Sequence, residues 1–440
     1  MTHAQPGKAP VCSLWAKEKL PAFAPLEGDE KTDVLIIGGG MAGLLTAHVL
    51  THAGINNMLI EADTICSGVT GRTTAKITSQ HGLIYTRLLD TFGAETARMY
   101  YQANEDALAQ YRALSSDIPC DFEEKDAYIY SADHPERIEQ ELRTLSRLGI
   151  PAEHAASLPL PFPVAAAVRF TRQAQFHPLK FAAGIAKGLN IKEHTAALGF
   201  KGNTVLTNRG TIRADVIVIA THFPIINKHG GYFLKLYQDR SYVLALRDAP
   251  DVDGMYLDEA QGGLSLRNAG GALLLGGGAH RTGKKSSGWA DLEAFAKAHY
   301  PKAQAQYRWA TQDCMTLDGV PYIGRYGAHT QNLFVATGFG KWGMTSSMAA
   351  ATLLCDLIQG KQNAYAGLFS PSRSMLRTQL AANALEATAS LLTPTKPRCP
   401  HMGCALKWNA QERSWDCPCH GSRFSESGKL LSNPSTGNLK

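Results

Sequence analysis

Cys399, His401, Cys417 and His420 form two short arms near the end of the chain, Cys-x-His and Cys-x-x-His, with fifteen residues between them (402–416). Thiolate and imidazole are metal donors. Structural zinc sites use the same atoms but favour Cys-x2-4-Cys and His-x3-5-His arms, whereas each arm here mixes one Cys with one His. Two further cysteines, Cys404 and Cys419, sit inside the same segments. A second pattern lies far upstream, where Gly38-x-Gly40-x-x-Gly43 follows the apolar run Asp33-Val34-Leu35-Ile36-Ile37 and precedes Leu44–Leu50 at helical spacing. Strand, glycine turn, helix, a second strand (57–60) and then the acid Glu61 make a dinucleotide fingerprint. The first glycine permits the tight turn, the second lets pyrophosphate approach the backbone (with Gly39, Met41 and Ala42 beside it), and the third lets helix and strand pack closely. The helix N-terminus then faces the phosphates. Glu61 is expected to accept from the adenosine ribose, and its charge argues against a 2′-phosphate.

The C-terminal arms resemble the Rieske iron–sulfur family, through Pro400-His401-Met402-Gly403-Cys404, then Cys417-Pro418-Cys419-His420-Gly421-Ser422-Arg423-Phe424, and the Gly428-Lys429-Leu430-Leu431 and Asn433-Pro434 segments. That resemblance implies a [2Fe-2S] cluster with Cys399 and Cys417 as thiolate ligands and His401 and His420 as imidazole ligands. It also implies a disulfide between Cys404 and Cys419. The chain departs from the family in one respect: 391–397 leads almost directly into Cys399, so the strands that usually precede the first loop are missing. A module trimmed in this way cannot bury a core alone and must lean on the rest of the protein.

The chain has 440 residues, enough for two or three domains, with 44% apolar and 19% charged residues, as in ordinary globular proteins. Of the net charge of +6, residues 396–440 hold +4, seven Lys/Arg against Glu412, Asp416 and Glu426. That excess is expected to be a mildly basic solvated surface, able to steer an acidic redox partner. No run of eighteen apolar residues predicts a membrane span, the N-terminus lacks a signal-peptide pattern, and nucleic acid is not an expected partner. Five scattered cysteines (Cys12, Cys66, Cys120, Cys314, Cys355) suit a reducing compartment, so a cytoplasmic location is expected.

Residues 1–30 read as a polar arm with Ser13-Leu14-Trp15 packed on the surface. Helices are predicted over 93–115, 135–148 and from about Met344 to Ile358. Buried strands are predicted at 216–220 and 332–336, with several short strands between 230 and 310. The Gly-rich stretch 275–280 is followed by polar residues rather than a helix, so it does not read as a second nucleotide site.

Residues 31–365 resemble the D-amino-acid oxidase-like (glycine-oxidase-like) flavoproteins. The matching pieces are the fingerprint, Ser67–Lys76, Thr316-x-Asp318-x-x-Pro321-x-Ile323-Gly324, and Ala336–Thr345. The resemblance implies FAD, with Thr70, Thr73, Thr74 and Ala75 along the flavin, and Gly338, Phe339, Trp342, Gly343, Met344 and Thr345 placing a helix N-terminus at its pyrimidine edge. It implies an α/β, Rossmann-like FAD-binding fold of glutathione-reductase type, with an inserted α+β antiparallel-sheet substrate domain and a small truncated all-β Rieske module. The expected division is an arm at 1–30, an FAD unit at 31–92, 150–228 and 311–365, a substrate unit at 93–149 and 229–310, a linker at 366–395, and the cluster module at 396–440. The expected activity is oxidation of an amine or amino acid by hydride transfer to flavin, with electrons passing singly to the cluster and on to a soluble one-electron carrier protein. The alternatives are a redox relay without small-molecule turnover, or flow reversed from a ferredoxin-type donor. No side chain declares itself as the acid–base group; His177, Lys76, Arg240 and Tyr242 are candidates, each with a structural role as the simpler reading. Cys314 lies near where some relatives attach flavin covalently, although a buried free thiol is the simpler reading.

Overall fold

The structure, a computed structural model, describes residues 9–226, 229–394 and 397–439. Glu30–Ile37 lies inside an eight-stranded sheet, because Val34 to Ile37 are buried on both faces and such runs suit the middle of a parallel sheet. It pairs in parallel with Thr211–Ile219 on one side and Asn57–Ile60 on the other. Leu333–Thr337 extends the parallel set, Tyr322–Arg325 adds an antiparallel edge, and Ile191–Lys192 closes the other edge. Helices Met41–His52 and Gly343–Ile358 each start at a glycine turn at the C-terminal ends of these strands.

The second sheet has nine strands in the order 304–316, 236–247, 272–281, 265–269, 255–258, 123–131, 166–175 and 76–77, with 153–155 off this path. Its pairings are antiparallel apart from Met255–Asp258 against Glu123–Ser131. Four three-residue strands, beginning at Lys407, Ser414, Arg423 and Leu430, form the third sheet. Its core is only Cys399, Cys404, Leu406, Cys417, Cys419 and Phe424, so much of its burial comes from neighbours.

Several boundaries differ from those predicted. Ala166–Gln175, placed with the FAD unit, pairs with Glu123–Ser131 in the nine-stranded sheet. Gln304–Thr316 runs unbroken across the predicted boundary at 310 and pairs with Leu236–Arg247 along its length. Helix Ala94–Ser115, assigned to the substrate unit, bonds the helix Gly343–Ile358 through Tyr111 Oη to the Met344 carbonyl and Thr352 Oγ1 to Gln110. Alternation shows which face of a strand is buried but not which sheet it joins. The strands of 236–316 also run to ten, twelve and thirteen residues, longer than predicted. The linker, read from the sequence as helical and then Pro-containing, holds the fifteen-residue helix Thr378–Leu392.

The arm is not a surface decoration over its described residues. Trp15 is 2% exposed, donates from Nε1 to the Thr73 carbonyl at 2.7 Å, and lies under the Arg267 guanidinium. Trp15→Ala is expected to cost about 3–5 kcal/mol and to lower the melting temperature of the holoprotein; an unchanged melting temperature would show the arm to be an appendage.

Candidate active site and cluster site

One cavity of about 710 Å³ runs between the first two sheets, within the roughly 300–1,000 Å³ range of small-molecule sites. Its floor is the glycine turn. Gly38 has φ +115°, and a Cβ there would lie 2.5 Å from the Ala220 carbonyl oxygen; a Cβ on Gly43 would lie 1.8 Å from that of Gly38. These are the approaches that only glycine allows. Glu61 accepts from the backbone N–H of Gly39 at 2.7 Å and of Asp63 at 2.9 Å, so it fixes the turn as well as facing the cavity. Burial pushes its carboxyl up, against those hydrogen bonds. Thr70 Oγ1 accepts from Met41 N–H at 3.0 Å and ties the next segment to the helix N-terminus.

Of the predicted flavin contacts, Gly38, Gly40, Met41, Ala42, Glu61, Thr70, Thr73, Thr74, Gly338, Phe339, Trp342, Gly343 and Met344 line the cavity. Gly39, Gly43, Ala75 and Thr345 stand behind its wall. Thr345 bonds the Thr78 carbonyl and His81, and the Ala75 carbonyl accepts from Arg267 at 2.9 Å. Trp15 and Trp309 hold the segment from outside through the Thr73 and Arg72 carbonyls. The glycine cradle, the helix N-terminus and the elongated cavity fit FAD.

The catalytic candidates separate clearly. His177 lies outside the cavity as the N-cap of helix Pro178–Ile185, its Nδ1 accepting from Lys180 N–H at 3.2 Å. Arg240 lies on the wall with its guanidinium engaged by Glu412. Tyr242 also borders the cavity, packed on Trp289 and His280. Cys314 is a free, buried thiol 3.7 Å from Thr337 Oγ1 and is not part of the cavity wall, which leaves the simpler reading of it in place. Lys76 remains. It lines the cavity, and its ammonium donates to the Tyr256 carbonyl at 2.8 Å and to Ser265 Oγ at 2.7 Å. Burial, then the nearby charges of Arg267 and Lys341, lower its pKa to about 7.

The C-terminal module docks on the same strands and closes one side of the cavity. Gln238 donates to the His420 carbonyl at 2.6 Å, and Gln312, on the neighbouring strand, to the Gly421 carbonyl at 2.7 Å. Arg281 donates to the carbonyls of Pro418 and Cys419. Glu412 bridges Arg240 and Arg423, and Arg423 also pairs with Asp416 at 2.9 Å. Asn433 donates to the carbonyls of Thr221 and Phe223, and Lys429 to Asn433 contribute to the cavity wall. His222, on that wall, meets Gln238 Oε1 at 3.2 Å. A continuous hydrogen-bonded route therefore joins the cavity to His420.

The two metal-binding arms have matching backbones. Gly403 N–H donates to the Cys399 carbonyl and Gly421 N–H to the Cys417 carbonyl, both at 2.9 Å, with φ near +76° and +82° at the glycines. The His401 and His420 rings lie 4.9 Å apart. His420 Nε2 lies 3.0 Å from the Phe233 carbonyl; a carbonyl only accepts, so Nε2 carries the proton and Nδ1 the lone pair. That Nδ1 is buried with no hydrogen-bond partner. Burial, aided by His420, lowers His401 to about 4 and keeps it neutral, the form that ligates metal. This donor set fits a [2Fe-2S] cluster. The sulfurs of Cys404, Cys417 and Cys419 lie within 4.8 Å of one another, and Cys404 and Cys419 stand as free thiols rather than in the bond implied by the resemblance.

A dinucleotide cavity walled in part by a cluster-binding module defines a two-cofactor redox protein. The chain belongs to the family of FAD-dependent oxidoreductases (DAO), whose model matches residues 33–357, and it carries a Rieske [2Fe-2S] domain at 389–440. Its cofactors are FAD and a [2Fe-2S] cluster. YhfW of Bacillus subtilis (strain 168), named as a Rieske 2Fe-2S iron-sulfur protein, is 35% identical over 496 aligned residues, covering 98% of this chain and 97% of that protein. The fold is similar to glycine oxidase from Geobacillus kaustophilus (TM-score 0.66, 19% identity, 78% of this chain and 99% of that one). It is also similar to L-proline dehydrogenase from P. horikoshii (TM-score 0.65, 19% identity, 78% and 98%). Among the described residues no helix is long and apolar enough to cross a membrane.

The sequence implied a dock but not the residues that make it. Gln238 and Gln312 are polar residues in buried strands, and that contradiction of burial was the available signal. Gly43→Ala is expected to yield protein without bound FAD, read from the flavin absorbance of the purified chain. Arg240→Ala is expected to leave Glu412 short of a partner, at up to about 3–5 kcal/mol, and to speed proteolysis of the C-terminal module. Unchanged proteolysis would place the dock's strength elsewhere.

Proposed function

We propose that this protein oxidises an amine or amino acid at the FAD cavity and delivers the electrons singly to the C-terminal cluster, from which a soluble one-electron carrier collects them. Flavin takes a hydride equivalent from a C–H bond, and the cluster carries one electron at a time. The observation carrying this reading is the route His222–Gln238–His420, which links the cavity wall to a cluster-loop histidine. In this reading Cys399, Cys417, His401 and His420 hold the cluster, and the fingerprint with 70–74 and 338–344 holds FAD.

Lys76 takes the proton-handling role. With a pKa near 7, its amine is neutral above that pH and can accept the proton of a substrate ammonium, which must leave before the nitrogen lone pair can assist C–H cleavage. The carbonyl of Tyr256 and the hydroxyl of Ser265 fix its direction. The nine-stranded sheet covering the cavity supports turnover of a small molecule over a pure protein-to-protein relay, which needs no such roof.

Two measurements test this. Anaerobic mixing with a panel of amines and amino acids should bleach the flavin and raise the cluster's EPR signal for at least one compound. Bleaching by reduced ferredoxin alone would favour the relay. With an active compound in hand, kcat/KM should rise with pH up to about 7 and then level, because the base form of Lys76 exists above its pKa. Lys76→Met should lose that rise along with about 10²–10⁴ of the rate; an unaltered pH profile would remove Lys76 from the chemistry.

A further inference from the structure

Asp313 lines the cavity on strand Gln304–Thr316 and is 8% exposed. Among the described residues its side chain makes no hydrogen bond or ion pair. Directly across on strand Leu236–Arg247 stands Asp239, 5% exposed, whose Oδ1 also has no partner. Residues paired in this way hold their side chains about 5 Å apart, and like charges there repel. A buried carboxylate without a partner is costly, so two facing each other beside a cavity need an explanation that packing does not give.

The cations around them do not supply it. Arg281, paired in register with Asp239, is engaged by the carbonyls of Pro418 and Cys419 and by Asn383. Arg240 is held by Glu412. Arg72, also on the wall, lies beside Arg240, Arg423 and Glu412 at the dock. Lys341 is the one cation whose charge is felt by both carboxylates, and it sits exposed where the cavity meets a smaller one of about 190 Å³. Arg281 and His280 also act on Asp239 and Arg240 on Asp313, yet among the described residues no cation makes an ion pair with either carboxylate. Burial, helped by Asp239 and against the pull of Lys341 and Arg240, pushes Asp313 up to about 7.

We infer that Asp313, backed by Asp239, is the seat for a cationic nitrogen, so that the cavity takes an organic amine lacking a carboxylate beside the reacting carbon rather than an amino acid. This rests on the amine-oxidation reading and narrows its substrate class. An amino acid would bring its own carboxylate toward two buried carboxylates, where Arg240 is already held by Glu412 and the exposed Lys341 already serves both. An amine supplies the missing charge as a fixed ion pair. Lys76 and Asp313 both feel Lys341, which puts the proton acceptor and the cation seat in one neighbourhood.

The test is binding to the oxidised holoprotein, read by perturbation of the flavin spectrum and by thermal shift, so that it does not depend on turnover. The probes are n-butylamine and putrescine on one side, glycine and L-proline on the other. The amines should bind and the amino acids should not. Asp313→Asn should weaken amine binding at least about tenfold, while Asp313→Glu, which keeps the charge, should retain the amine preference. Flavin content and cluster EPR equal to wild type establish that both variants are folded. Binding of the amino acids with equal affinity in wild type and Asp313→Asn would overturn the inference. So would amine binding indifferent to Asp313→Asn, or no binding of either amine. Amine binding that depends on Asp313 but never reduces flavin would leave the seat standing and remove the proposed oxidation.

Discussion

Side chains on two adjacent strands, Gln238 and Arg240 on one and Gln312 on the other, hold the C-terminal module against the flavoprotein body. Alternation along the strand puts Gln238 and Arg240 on the same face, and register sets Gln312 opposite Arg240. They meet the tight loop at His420–Gly421, whose carbonyls have no ladder partner and need donors. Beside them Arg240, Glu412, Arg423 and Asp416 form a buried charged group. Burying such ions costs several kcal/mol each, and their attraction returns this only with good geometry. The group therefore acts more in fixing the module's orientation than in adding net stability.

The rest of the molecule follows from that contact. A module whose core is six residues gains its fold from the body, and the body gains part of its cavity wall, since residues 429–433 of the module border the FAD cavity. His420 is buried with its Nε2–H on the Phe233 carbonyl, and the rings of both histidines face Phe223. The histidine edge is thus turned inward toward the flavoprotein, and the cluster loops are docked as part of the resting fold.

Much of this was legible in the sequence where chemistry constrains the backbone or a ligand. Gly38, Gly40 and Gly43 announce a turn no other residue could make, and the two Cys–His arms announce their donors with the loop shape that presents them. Partnership between distant segments was not legible. Arg240 read as a substrate residue because nothing local shows that Glu412, 172 positions later, occupies it. His177 looked reactive but caps a helix. Trp15 looked peripheral because the surface that buries it comes from 72–75 and from Arg267. Asp313, adjacent to a cysteine already under consideration, was overlooked because burial of a carboxylate is a tertiary fact. Residues 166–175 were placed within the FAD unit for the same reason, although their strand pairs with Glu123–Ser131.

The proposed function has flavin and cluster exchange electrons within one molecule, across the dock formed in this fold. Flash photoreduction of the holoprotein with a deazaflavin radical, followed at flavin and cluster wavelengths, tests it without knowledge of the substrate. Redistribution of the electron between the two chromophores should be a single exponential whose rate does not change with protein concentration. A rate rising in proportion to protein concentration, or no redistribution at all, would contradict it.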